Sequence, residues 1–291
     1  MDYSSSKDAL QLMRQIRLCA VFAWALLFLT AANLGAGVLV APTVVILSDK
    51  NRTGRINIEN PSNKPKEVEI SFSFGLPVSD SLGKISIDLQ DSNVTDPRSA
   101  MDWIRAFPRK VLLEPNGSQV IRLVAQPPKD LPDGEYWAHI VVKSQEGETS
   151  FPVASDDENI TTKLNMIMKT AIALKYRTGD VMAELEMTDP KVIEDDSNVV
   201  FYCDLKNLGN VSYLGILTCR LLDADGKEIS FHRSNLAVYR ELRKGIYLPI
   251  TEGDYSQPYK VDLFITGKGR SDVPHQDMIY GNEISYSAVV D

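Results

Sequence analysis

With 291 residues, 44% hydrophobic and 24% charged, the chain is long enough for two domains with their own cores and too apolar to be disordered. Its net charge of −8 argues against nucleic acid as the main partner, because phosphate binding needs a clustered cationic surface. The 15 prolines and 17 glycines, scattered between short apolar runs, point to many turns and short elements.

The first 36 residues read as a targeting segment. Arg14 and Arg17 precede the uncharged run 18–32 (LCAVFAWALLFLTAA), and small residues follow it. That is the order of a secretory signal peptide, with Thr30 and Ala32, or Leu34 and Ala36, at the −3 and −1 positions of the cut. The competing reading is an uncleaved anchor, since 18–41 approaches the roughly twenty residues a membrane span requires. Either way the remainder lies outside the cytoplasm. Cys19 has no lipoprotein-type context. Beyond it the chain holds Cys203 and Cys219, on successive predicted strands. In an oxidising compartment two such residues form a disulfide if their Cα atoms come within about 7 Å, and otherwise remain buried thiols. Both readings stay open. Asn-x-Ser/Thr sequons at Asn51, Asn93, Asn116, Asn159 and Asn210 matter only in a eukaryotic secretory pathway.

Residues 38–47 (VLVAPTVVIL) read as an apolar strand with Pro42 near its start, where a missing N–H is tolerable. Residues 55–59 and 66–74 alternate polar and apolar, with Val68, Ile70, Phe72 and Phe74 predicted inward. Residues 77–95 are turn-rich and hold one short strand at 85–89, and 97–107 fit a helical turn or two. Strands at 110–113, 119–125 and 135–143 follow, the first pair joined by Pro115-Asn116-Gly117. An acidic loop, Asp156-Asp157-Glu158, leads into 161–177 (TTKLNMIMKTAIALKYR). There Leu164, Met166, Met168, Ile172, Leu174 and Tyr176 share one parity, with Thr170 its only polar member, so this is one long strand with an apolar stripe. Lys163, Lys169, Lys175 and Arg177 punctuate its other face. Strands usually run about five or six residues, so this one has more apolar edge than its own domain needs. After Gly179 further strands are predicted at 181–187, 199–205, 214–222, 244–250 and 259–265, and Asp225-Gly226 is a hairpin signal. Short strands with regular turns and no amphipathic helix predict an all-β chain of two tandem immunoglobulin-like sandwiches, residues 37–178 and 179–291, after the segment 1–36.

Nothing in the sequence resembles an active site or a metal site. It has no Gly-x-Ser-x-Gly, His-Glu-x-x-His, phosphate-cradling glycine loop or Cys-x-x-Cys. His139 sits mid-strand with no orienting partner in view and reads as structural; His232 and His275 lie in polar, turn-rich segments. Asp223-x-Asp225-Gly226 lacks the later ligands of a calcium loop and reads as a turn. The acidic runs at 156–158 and 194–196 read as solvated loops. No cofactor, catalytic residue or small-molecule substrate is expected.

Residues 107–123 (FPRKVLLEPNGSQVIRL), followed by 130–137 (DLPDGEYW), resemble the N-terminal domain of periplasmic pilus-assembly chaperones, the PapD-like family. That family's typical run is a P-x-x-V-x-L-x-P-x-x-x-Q-x-V-R-L strand pair, then a Leu-Pro-Asp/Gly loop and an aromatic strand. Val40-Ala41-Pro42-Thr43 and Arg55-Ile56-x-Ile58-x-Asn60 resemble its first two strands, and 171–177 its last. The resemblance covers about 38–177. Asn207-x-Gly209-Asn210 and Ala237-Val238-Tyr239 extend it less specifically.

The resemblance implies a periplasmic protein of two immunoglobulin-like domains, non-enzymatic, that holds a pilin-like subunit by lending it a strand, and that delivers it to an outer-membrane usher. Backbone ladder bonds supply affinity and alternate side chains fill the subunit's groove. Mapped onto this chain, the lent side chains are Leu164, Met166 and Met168. The family's arginine and lysine that anchor the subunit's terminal carboxylate fall on Val44 and Ala173, which cannot do so, leaving Lys169, Lys175 or Arg177 as substitutes. Because of that departure, the alternative is a secreted or anchored immunoglobulin-like structural or binding protein without chaperone activity. Contact with a membrane is expected only through 1–36, if that segment is uncleaved.

Overall fold

The computed structural model describes residues 37–146, 166–195, 197–250 and 252–290. The targeting segment 1–36 and Leu164 lie outside the described residues. Among the described residues there are eighteen strands and two single turns of 3-10 helix. In chain order the first eleven strands are β1 (Leu39–Ala41), β2 (Val44–Ser48), β3 (Thr53–Glu59), β4 (Lys66–Ser73), β5 (Pro77–Ser79), β6 (Ile85–Ile87), β7 (Ile104–Phe107), β8 (Lys110–Leu113), β9 (Ser118–Ala125), β10 (Gly134–Glu146) and β11 (Ile167–Thr178). The remaining seven are β12 (Leu185–Asp195), β13 (Asn198–Asn207), β14 (Tyr213–Leu222), β15 (Glu228–Val238), β16 (Glu241–Pro249), β17 (Lys260–Thr266) and β18 (Ile284–Val289).

These strands build two sandwiches. In the first, sheet β1-β3-β9-β7 faces sheet β2-β11-β10-β4-β8. Strict alternation explains the facing: in β3, Ile56 and Ile58 are buried while Arg55, Asn57 and Glu59 are exposed. Ile56, Ile58, Ile121 and Leu123 from one sheet meet Val68, Ile70, Ile140, Leu174 and Tyr176 from the other in one core. In the second sandwich, β12-β13-β16 faces β15-β14-β17-β18, around Phe201, Leu205, Tyr213, Leu217, Val261 and Leu263. The expected all-β fold of two tandem sandwiches is what the chain adopts.

Several local expectations change. The strand expected over 38–47 is two strands in different sheets, divided at Pro42, which has no N–H to continue a ladder. The helical turns expected over 97–107 reduce to one 3-10 turn, Met101–Trp103, and 104–107 pairs with β9 as β7. The strand expected at 181–187 begins at Leu185, and β18 has no counterpart in the sequence reading. The turn-rich 77–95 region forms a hairpin, β5 against β6. That hairpin lies along β16 of the second sandwich, where the backbone N–H of Arg243 donates to Ser79 Oγ at 2.7 Å. Gly83, at φ +75, and Gly245 let the two backbones touch, since a Cβ on Gly245 would lie 2.4 Å from the Leu82 carbonyl oxygen.

Candidate functional site

Strand β11 is the long strand foreseen from the sequence, and its two ends differ. Along all of it, β11 pairs antiparallel with β10, from Ile167 opposite Gln145 to Thr178 opposite Gly134. On its other side it pairs parallel with β2, but only from Ala173 opposite Val44 to Arg177 opposite Ser48. Residues 167–172 therefore have one edge with no strand partner among the described residues. Their outward N–H and C=O groups are available to a further strand.

The side chains on this free length are unusually apolar for a surface. Met166, Ile167 and Met168 are 51%, 53% and 36% exposed, whereas a soluble surface normally blunts such an edge with charge or proline. Met168 is partly covered because its sulfur lies over Gly37, where an added Cβ would come within 2.3 Å. Lys169 is exposed and sits opposite Lys143. Thr170 is half-buried, and from Ile172 onward the apolar parity enters the core.

At the other end of β11, the chain's own carboxylate occupies the cations. Glu135 on β10 is completely buried, and Lys175 and Arg177 are 1% and 8% exposed. Lys175 Nζ lies 3.0 Å from Glu135 Oε1, and Arg177 Nε lies 2.8 Å from Oε2. The Trp137 indole N–H donates to the same carboxylate at 2.7 Å, and so do the hydroxyl and backbone N–H of Ser212, from the second sandwich. Arg177 also donates to the backbone carbonyl of Asp277. Burial, the largest influence on Glu135, pushes its pKa up; Lys175, Arg177 and the Ser212 hydroxyl outweigh it and hold the carboxyl at about 2. Lys175 lies 4.0 Å from the Tyr239 ring centre, and Trp137 meets that ring edge-on at 5.2 Å.

This network joins the two sandwiches. Phe74 and Trp137 from the first pack with Tyr239 from the second, and Ile46 packs against Leu214, Val273 and Met278. Asp96 and Arg240 add an ion pair at 2.9 Å. The sequence reading named Lys175 and Arg177 but overlooked Glu135 and Ser212. The available signal was a lone carboxylate opening an otherwise apolar strand, EYWAHIVV, matched by two cations on one parity of 171–177.

His139 is buried, with its pKa lowered to about 4 by burial and then by the charge of Lys175, so it is neutral near pH 7. Val44 and Ala173 are direct partners in the parallel pair, which puts two small apolar side chains where the resemblance placed anchoring cations. Cys203 and Cys219 are not bonded; both are buried free thiols, pushed up to about 12 chiefly by burial. They sit on β13 and β14, in the two facing sheets of the second core. Among the described residues no group of three or more His, Cys, Asp or Glu is placed to hold a metal ion, and no helix is long and apolar enough to cross a membrane.

No protein-family model and no curated protein matches the chain. Among solved structures, the YadV chaperone is similar at 15% identity and a TM-score of 0.44, over 87% of this chain and 99% of that one. The CupB2 chaperone of Pseudomonas aeruginosa is similar at 12% identity and a TM-score of 0.43, over 87% and 100%. The SafB chaperone of Salmonella enterica, solved with the SafA pilin, is similar at 15% identity and a TM-score of 0.42, over 87% and 96%. Each of these three is described as a chaperone, and at such identities the task of this chain has to be read from its own residues.

Proposed function

We propose that the protein is a periplasmic chaperone that binds secreted pilus or fibre subunits and caps them by lending the free edge of β11. The observation that carries this reading is the unpaired length 167–172, which carries exposed Met168 and is preceded by exposed Met166. An incomplete β-subunit would gain a ladder from that edge and fill its groove with the thioether side chains, which adapt to irregular cavities. Leu164 extends the same parity. Burying each apolar side chain is worth about 1.5–3 kcal/mol, which makes a firm but reversible grip. Lys175 and Arg177 hold Glu135, so Lys169 is the cation on the strand left for a subunit's carboxylate. We place the division between the two domains at 178/179. The proposed task is binding and involves no covalent chemistry, and an outer-membrane usher is the expected recipient of the subunit.

The test is Met166→Asp with Met168→Asp. The double variant should fold with an unchanged melting temperature and lose co-purification of a β-rich secreted subunit from the periplasm. Retention of that subunit by the variant would remove β11 from the account. The apolar Val44–Ala173 pair favours a second reading, a structural or binding module of a fibre or surface. Recovery of the protein as a stable constituent of a fibre would select it.

A further inference from the structure

The outer face of the β1-β3-β9-β7 sheet carries an uncompensated cationic surface on an otherwise acidic protein. Arg55 and Arg122 are direct cross-strand partners, and Arg122 is in turn opposite Phe107. Like charges in that relation repel unless something neutralises them. Among the described residues neither has an ion-pair partner. On the same outward parity stands Arg105, whose guanidinium donates to the backbone carbonyls of Asp102 and Ile104. Glu59 is the one carboxylate in these rows. The contrast with the facing sheet is informative: there Lys110 pairs with Glu69 at 3.1 Å. Set among the arginines are Leu39, Val120 and Phe107, 58%, 52% and 56% exposed.

We propose that this face docks on an anionic lipid bilayer. Three observations select a bilayer as the occupant. The charge is complementary to acidic headgroups, against a chain whose net charge of −8 would otherwise be repelled by them. Isolated apolar side chains between guanidinium groups suit the headgroup boundary, where both kinds of group are stabilised. The chain outside the described residues ends at Ala36, three residues before β1, the edge strand of this sheet, and 18–36, in the uncleaved chain, is uncharged and apolar except for Thr30 and Asn33. A short cationic patch alone holds a protein weakly to a membrane, whereas a patch next to an apolar segment supplies the two signals stable attachment needs. The inference is independent of strand lending: it concerns the opposite sheet, and leaves the β11 edge pointing elsewhere.

The experiment uses the full chain reconstituted in vesicles, in a Cys19→Ser background, with a fluorescent label on Asn57→Cys at the centre of the face. A control label is placed on Ser285→Cys, on the second sandwich. With vesicles containing phosphatidylglycerol and a headgroup-attached quencher, the label at position 57 is expected to be quenched and the label at 285 not. Replacing Arg55, Arg105 and Arg122 by Gln should shift docking toward the undocked form by about a hundredfold, roughly fivefold per arginine. Phosphatidylcholine vesicles, or salt near 1 M, should do the same. Equal quenching at both positions, or quenching indifferent to the arginines, would overturn the proposal. So would a requirement for these arginines in retaining an acidic protein partner in the absence of vesicles, which would make the face a protein interface.

Discussion

The two ends of β11 belong to one strand and live under opposite physical conditions. From Ala173 to Arg177 the backbone is paired on both edges, and Leu174, Lys175, Tyr176 and Arg177 are buried. From Ile167 to Ile172 one edge is open, and Met168 within it and Met166 just before it face solvent. On the proposed reading, the difference teaches how a strand could be offered to a partner without being lost to aggregation or disorder. The buried end fixes direction and register, so the open end is held in extended form without a second strand beside it. Much of the ordering entropy that strand addition usually costs has then been met by folding. The Glu135 network links that buried end to the second sandwich through Ser212, tying the presentation of the edge to the joint.

The largest effect expected from breaking this comparison is at Glu135. Glu135→Ala leaves Lys175 and Arg177 buried without their carboxylate and should cost about 3–5 kcal/mol in urea unfolding. Lys175→Met should cost clearly less, because Arg177, Trp137 and Ser212 still satisfy Glu135. Equal and small losses for both would show that the network does not hold the joint.

Acid should weaken the buried end in two windows. The Glu135 carboxyl, at about 2 in the fold against 4.5 ordinarily, contributes stability that is complete above about pH 4.5 and lost as pH falls toward 2. His139, at about 4 in the fold against 6.5, is protonated earlier in the unfolded chain, so stability also declines as pH falls from 6.5 toward 4. Melting temperatures across pH should show both segments, and His139→Gln should flatten the upper one and leave the lower.

A smaller effect is expected at the hairpin contact. Gly245→Val would drive a side chain into the Leu82 carbonyl and should cost about 1–3 kcal/mol, with increased proteolysis of 77–87. The smallest effect is at the thiols. Cys203 and Cys219 should be inert to a thiol reagent in the native protein and both react once it is unfolded; a native mass two hydrogen atoms lighter would indicate a disulfide instead.

The sandwich architecture was legible because alternation at period two writes the buried face of each strand directly into the chain, as in Arg55-Ile56-Asn57-Ile58-Glu59. Parity also located the change of character along β11. What was not legible depended on partners distant in sequence. Nothing local to Glu135 shows that Ser212 will close over it. Nothing in 77–87 shows that β16 will lie beside it, and no periodicity reports that the chain changes sheets at Pro42. The cations Lys175 and Arg177 were visible as candidates, but a sequence cannot tell a free cation from one already held. Their partner came from the adjacent strand, where a single carboxylate among apolar residues was the overlooked signal.

The central claim is that 167–172 presents an unpaired edge on a strand otherwise locked in place. Residue-resolved amide hydrogen exchange on the full chain tests it most directly. The account predicts slow exchange at every amide from Ala173 to Arg177, and rapid exchange at alternate amides from Ile167 to Ile172, those pointing away from β10. Uniform protection along the whole of β11 in the free protein would contradict it, because the edge would then already be filled.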